Sequence, residues 1–167
     1  GKYQLKMLST SSFKPLAASM GPMLKEESFH LGTGANGLRR VVKQGVIPCA
    51  LVQKYVNKWA STGLDLFGTD DSTSAQWAYV YGIKGRYDER EAAVEADREH
   101  LNEASRELYL QELRDEMKRI SKVRKEGEPG LYIPSDKFRR SIGKYAGKMY
   151  TVEGEPFEGN QGEYEAY

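Results

Sequence analysis

The stretch Lys25-Glu26-Glu27-Ser28-Phe29-His30 places a carboxylate and an imidazole three residues apart, at Glu27 and His30. The pattern around it is typical of a helix, in which residues three apart lie one turn apart on the same face. Apolar and small residues recur at intervals of three and four on either side of the pair: Phe13, Leu16, Met20, Met23, Gly34, Leu38 and Val41. We therefore expect Glu27 and His30 to face a helical core, where an unpaired carboxylate is costly.

A Glu-x-x-His pair that points inward is a metal-binding motif of four-helix bundles. Two such helices and two further carboxylates hold a dinuclear centre, and carboxylate with imidazole suits iron, manganese or zinc. Glu26 lies about 100° around the helix from Glu27, so we expect it to face solvent. The alternative is an ordinary acidic residue beside a hydrogen-bonded histidine. This chain contains one of the two motifs that a complete site needs.

The bulk composition limits the classes of function. The 167 residues have a formal net charge of +1, which gives no indication of a nucleic-acid or acidic-membrane partner. Cys49 is the single cysteine, so an internal disulfide is impossible and a reducing compartment fits. No apolar run approaches the roughly 18 residues of a membrane span, and no signal-peptide pattern is present, so we expect a cytoplasmic protein. The start at Gly1, inside a helical pattern, suggests a piece of a longer protein.

The hydrophobic periodicity predicts an all-α fold. We expect helices at about 13–44, 48–62 and 73–84, the first kinked or restarted at Pro22, and either one long helix or two broken ones at 88–125. Leu51, Tyr55, Val56 and Trp59 should form the apolar side of the second helix. A core aromatic group is expected from Trp59, Phe67, Trp77, Tyr79 and Tyr81.

Other candidate sites carry weaker signals. His100 has Asp97 and Glu103 at three-residue spacing, but its charged neighbours favour a solvated, ion-paired face. The Gly-x-x-Gly of residues 82–85, followed by Arg86, could cradle a phosphate, although a helix C-cap explains it without a ligand. The remaining basic groups could meet an anionic ligand such as a nucleotide-tailed thioester, or be simply solvated; they are Arg39-Arg40, Arg139-Arg140 and Lys144.

Several motifs, in order along residues 3–157, resemble the oxygenase subunits of the bacterial multicomponent acyl-CoA epoxidases, which include phenylacetyl-CoA and benzoyl-CoA epoxidases. The segment from Phe13-Lys14-Pro15-Leu16-Ala17 to Phe29-His30-Leu31-Gly32 is similar to the second metal-ligand helix of that family. Further motifs resemble the benzoyl-CoA branch: Leu64-Asp65-Leu66-Phe67-Gly68, Ser72 to Ala75, Gly82-Ile83-Lys84-Gly85-Arg86, Phe138-Arg139-Arg140-Ser141-Ile142-Gly143 and Tyr145-Ala146-Gly147.

The resemblance implies a ferritin-like helical bundle with a dinuclear iron centre. It implies a monooxygenase that uses O2 to epoxidise a CoA-activated aromatic ring, such as benzoyl-CoA, in aromatic compound catabolism. Electrons would come from NADPH through a separate reductase component. Residues 1–70 would form the second half of the metal-binding bundle, residues 71–157 a helical C-terminal extension, and residues 158–167 a surface tail.

Within this resemblance, only Glu27 and His30 match the family's ligand motif, so they are the candidate catalytic and metal-binding residues. The family needs another Glu-x-x-His and further carboxylates, one of them just before Gly1. These would come from the N-terminal half of the bundle or from another chain, and a homodimer is possible. Pro22 departs from the family pattern, in which this helix is uninterrupted.

Two other interpretations stay open. The chain could be a non-catalytic ferritin-like scaffold that has lost its metal chemistry. It could also be an interaction module that completes its bundle only with another chain. A half-bundle predicts a large exposed apolar stripe unless a partner covers it.

Overall fold

The structure, a computed structural model, describes residues 1–84, 101–138, 145 and 147–166. The helices in these ranges are α1 (Lys2–Leu8), α2 (Lys14–Gln44), α3 (Cys49–Asp65), α4 (Thr73–Val80), α5 (Leu101–Ser121) and α6 (Gln161–Ala166). The described ranges contain no β-strand, and Tyr150 and Pro156 form an isolated antiparallel bridge. The predicted all-α fold class is confirmed. No helix among the described residues is both long and apolar enough to cross a bilayer.

The helix α2 passes through Pro22 without ending. We expected a kink or a restart there because proline has no N–H to donate and its ring crowds the preceding turn; the restart is not observed. Ala18, whose carbonyl loses its helical donor at Pro22, is exposed, and so is Pro22. Water can therefore hydrogen-bond that carbonyl, which makes the interruption tolerable.

The chain forms two compact units, and the first comprises residues 1–38 and 69–112. In this unit the turn before α2 is bound to the end of α4, because Ser12 donates from its N–H to the Gly82 carbonyl at 2.7 Å and from its hydroxyl to the Tyr81 carbonyl at 2.6 Å. Tyr3 of α1 donates to Glu112 Oε2 of α5 at 2.8 Å. Among the described residues of this unit, the buried apolar ones are Met7, Met20, Ala75 and Leu110.

The second unit comprises residues 39–68 and 113–167. Gln53 of α3 holds the irregular segment after α5, since its amide nitrogen donates to the Tyr132 carbonyl and its amide oxygen accepts the Tyr132 N–H, both at 3.0 Å. Ser121 Oγ accepts the Leu131 N–H at 2.8 Å. Polar side chains on the helices thus satisfy the backbone of a segment that has no regular structure of its own.

The end of the chain, which we expected to be a surface tail, contains one buried anchor. Tyr164 is 4 % exposed, and its ring centroid lies 6.1 Å from that of Phe138 and 5.1 Å from that of Phe157. Phe138 and Tyr164 form a small core with Val152. The predicted boundaries at residues 70 and 157 divide the chain by proposed role, and they differ from the boundaries of the two compact units. The division by role stays a prediction.

The predicted aromatic core is wrong for three of its five members. Phe67 is buried at 6 % exposure, whereas Trp59, Trp77 and Tyr81 are 64 %, 55 % and 64 % exposed. The helix α3 packs with the side opposite to the one we expected, burying Cys49, Val52, Ala60 and Leu64. Apolar residues lie on both sides of this helix, so periodicity alone could not select the buried one.

Candidate functional site

The predicted pair lies in the middle of α2, where a continuous helix sets its geometry. Glu27 and His30 are one turn apart, and His30 Nδ1 lies 3.4 Å from Glu27 Oε2. With a protonated imidazole this contact is an ion pair, and with a neutral one it is a weak hydrogen bond at most. The spacing in the sequence thus brings the two side chains together as predicted.

The two members of the pair differ in their surroundings. The Glu27 side chain is 25 % exposed, and its Oε1 atom lies 3.5 Å from the amino nitrogen of Gly1. A Cβ atom added at Gly1 would overlap the Glu27 carboxylate, so the beginning of α1 lies directly against it. The His30 side chain is 67 % exposed. One carboxylate oxygen therefore faces α1 and the other faces a largely open imidazole.

The side of α2 that carries His30 is open. Met23 is 45 % exposed, and no atom lies within 4 Å of the position that a Cβ would take at Gly34 or Gly37. In the predicted stripe Met20 is buried, but Met23 and His30 are not, so the expected core placement is wrong for His30 in this chain. Val42, close to the end of α2, is buried at 1 % exposure. An open face with apolar members is what a half-bundle predicts.

Most of the weaker candidates lie outside the described residues. These are His100 with Asp97, Gly85-Arg86, Arg139-Arg140 and Lys144. Glu103 is described, and it forms an ordinary ion pair within α5, 3.5 Å from Arg106. Arg39 and Arg40 are exposed on α2. Within the described ranges, no group of three His, Cys, Asp or Glu side chains is placed to hold a metal ion.

A second polar cluster, which the sequence pattern did not reveal, surrounds Asp70. Its carboxylate accepts the backbone N–H groups of Asn102 at 3.0 Å and Glu103 at 2.9 Å, in the first turn of α5. It also accepts the hydroxyl of Tyr79, and Lys84 donates to the side-chain oxygen of Asn102. A residue more than thirty positions away thus caps α5, and no local spacing could have indicated it.

The electrostatics of this cluster follow from its partial burial. Burial raises the pKa of Tyr79 well above its ordinary value of 10.0, and the hydrogen bond to Asp70 acts in the same direction. Burial lowers the pKa of Lys84, an effect that the Asp70 charge opposes. Tyr79 thus remains a neutral donor to the carboxylate at physiological pH. This arrangement joins Tyr79 of α4 to the first described turn of α5 through Asp70, and it explains the cluster without a ligand.

Comparison with known proteins confirms the resemblance that the motifs indicated. No family model matches the chain. An alignment over 108 residues, covering 53 % of this chain, shows 36 % identity to a protein named Benzoyl-CoA oxygenase component B from Aromatoleum evansii. The alignment spans only 23 % of that relative's length.

Proposed function

We propose that the chain is part of the oxygenase component of a multicomponent monooxygenase that epoxidises a CoA-activated aromatic ring, with benzoyl-CoA as the expected substrate. The observation that carries this proposal is the 36 % identity to a protein named as a component of a benzoyl-CoA oxygenase. The open Glu27–His30 pair on α2 supports it independently, because it offers the right donor atoms on an accessible helix face.

In this proposal Glu27 and His30 are two ligands of a dinuclear iron centre within a ferritin-like bundle. Their donor set fits the metal, since carboxylate oxygen and imidazole nitrogen lie 3.4 Å apart on one face. When bound, the iron would supply the activation of O2 that an aromatic ring requires. The role of the two side chains is to hold and orient the metal, and the remaining ligands come from further polypeptide.

The contact between Glu27 and Gly1 supports a location for one of those ligands. Continued by one more turn, α1 would bring a residue preceding Gly1 to the level of His30, because α1 already lies against Glu27. A carboxylate there would face the pair from a second helix. Such a position agrees with the carboxylate that the family resemblance implies just before Gly1.

The overall reaction defines what the other components must supply. One oxygen atom of O2 forms the epoxide, and the other leaves as water, which consumes two electrons and two protons. The proposed source of electrons is NADPH through a separate reductase. The acyl-CoA substrate binds to the assembled protein rather than to this chain alone.

The proposal is tested with the protein expressed from its complete reading frame. Glu27→Gln and His30→Gln should each lower the bound iron at least about tenfold and abolish benzoyl-CoA-dependent consumption of O2. Glu26→Gln is the matched control, since Glu26 is exposed on the same turn, and it should retain both properties. Unchanged iron content in the Glu27 and His30 variants would refute the assignment.

A non-catalytic scaffold is the second candidate. It is favoured by the exposure of His30 and by the lack of a third ligand near the pair within the described ranges. For this function the complete protein would bind no iron, and the Glu27 and His30 variants would match the unaltered protein in every assay.

A further inference from the structure

The outer side of α3 carries an apolar surface, here called the α3 stripe, formed by Leu51, Tyr55, Trp59 and Leu66. Their exposed fractions are 47 %, 55 %, 64 % and 64 %. Leu51, Tyr55 and Trp59 follow one another at intervals of four, so they lie along one line of the helix. Leu66, directly after the last residue of α3, continues the same line.

The opposite side of α3 is apolar and already buried in the second unit. Leu64 is fully buried, and Val52 and Ala60 are 7 % and 4 % exposed. A helix that is apolar on both sides is typical of a buried position rather than of a protein surface. Large exposed apolar patches mark interaction sites, so the α3 stripe is expected to be covered in the working protein.

Charge distinguishes the possible occupants. Lys54 and Lys58 are exposed along one edge of the stripe, and Lys58 Nζ lies 5.6 Å from the centre of the Trp59 ring. The sequence from 28 to 64 contains no Asp or Glu. The edge of the stripe that carries Lys54 and Lys58 therefore has no acidic residue within this segment, and a partner complementary to that edge carries carboxylates.

We propose that the α3 stripe docks an acidic protein partner, whose apolar side chains cover Tyr55 and Trp59 while its carboxylates pair with Lys54 and Lys58. A second copy of this chain docked antiparallel fits less well, since its Lys54 and Lys58 would lie on the same edge as those of the first copy and repel them. An anionic bilayer fits less well because the lysines line one edge only, whereas interfacial helices carry a broadly basic polar face. The proposal does not depend on iron or on the proposed oxygenase activity.

The test uses a fluorescent helical peptide of about 18 residues with leucines at i, i+4 and i+7, flanked by glutamates. A matched peptide carries lysines in place of the glutamates. By fluorescence anisotropy, the acidic peptide should bind at least about tenfold more tightly than the basic one. Raising the salt from about 50 mM to about 500 mM should weaken the binding, because it screens exposed charges.

Variants locate the binding. Binding of the acidic peptide should become at least about tenfold weaker in Trp59→Ala. The double change Lys54→Glu and Lys58→Glu should weaken it by at least as much. Trp77→Ala is the matched control, since Trp77 is also exposed but lies in the other unit, and it should bind normally. Equal binding of the two peptides, absence of binding, or an equal effect of Trp77→Ala would overturn the proposal.

Three further outcomes would replace it with another occupant. Sedimentation of the unaltered chain as a dimer that Trp59→Ala dissociates would assign the stripe to a second copy. Trp59-dependent binding to vesicles with about 30 % phosphatidylserine, without peptide binding, would assign it to a membrane. Protection of Trp59 from acrylamide quenching in the complete protein, measured as the part of the quenching that Trp59→Phe removes, would assign the stripe to the protein's own remaining chain.

Discussion

The carboxylate of Asp70 should be one of the most important polar groups for the stability of the first unit. Replacing Asp70 with alanine removes the cap of α5, which accepts the N–H groups of Asn102 and Glu103. Loss of an N-cap costs about 1 kcal/mol. The half-buried hydroxyl of Tyr79 also loses its charged acceptor, which costs a further 1–3 kcal/mol, roughly. Asp70→Ala should therefore lower the free energy of unfolding by about 2–4 kcal/mol in total.

Thermal and urea unfolding, followed by far-UV circular dichroism, measure this effect. For a chain of this size, about 2–4 kcal/mol corresponds to a fall in Tm of roughly 5–15 °C. Asp70→Asn keeps a side-chain oxygen that can accept the N–H groups of α5, so it should lower the free energy of unfolding by less than Asp70→Ala does. Asp71→Ala is the matched control, because Asp71 is exposed, and it should change stability by less than about 0.5 kcal/mol.

The Tyr79 phenol gives an independent readout of the same interaction. In Asp70→Ala its pKa should fall toward 10.0 but stay above it, because burial, the larger cause, remains. Ultraviolet titration with and without Tyr79→Phe isolates this group from the other tyrosines. A stability of Asp70→Ala within about 0.5 kcal/mol of the unaltered protein, or an equal loss in Asp71→Ala, would refute the capping argument.

Three other changes test the packing and the charges. Leu64→Ala should cost about 2–5 kcal/mol in urea unfolding because Leu64 is fully buried, whereas Leu66→Ala, at 64 % exposure, should cost little; equal losses would contradict the assigned buried side of α3. Burial raises the pKa of Glu112, but hydrogen bonds from Lys2 and Tyr3 outweigh it and lower the pKa below its ordinary value of 4.5. The folded state is therefore favoured above that pH and loses this contribution as the pH falls through the lowered pKa, so Glu112→Gln should flatten the acid limb of a stability–pH curve. Gly45→Ala should destabilise the fold by about 1 kcal/mol or more, because Gly45 has a φ of +58° and a Cβ there would overlap Lys125. Gly34→Ala should stabilise α2 by up to about 1 kcal/mol, because the surroundings of Gly34 are open. A stabilising Gly45→Ala or a destabilising Gly34→Ala in urea unfolding would contradict the placement of that glycine.

Much of the local structure was predictable from spacing. The helix predicted at about 13–44 is observed as Lys14–Gln44, and the one predicted at about 48–62 as Cys49–Asp65. The juxtaposition of Glu27 and His30 also followed from the sequence, because a three-residue interval in a helix fixes the relative position of two side chains. The restart that we allowed for at Pro22 does not occur, because exposure to water offsets the lost hydrogen bond.

The all-α class and the proximity of Glu27 and His30 followed from the sequence alone, since both depend on residues close together in the chain. The motifs and their order are likewise read directly from the sequence. The buried side of α3, the exposure of His30 and the capping of α5 by Asp70 were settled by packing. The hydrogen bonds of Gln53 with Tyr132 join residues 79 positions apart, and those of Asp70 with α5 join residues 32 and 33 positions apart. Periodicity indicates that a helix has an apolar side, but which side becomes buried depends on the neighbours that the rest of the chain supplies.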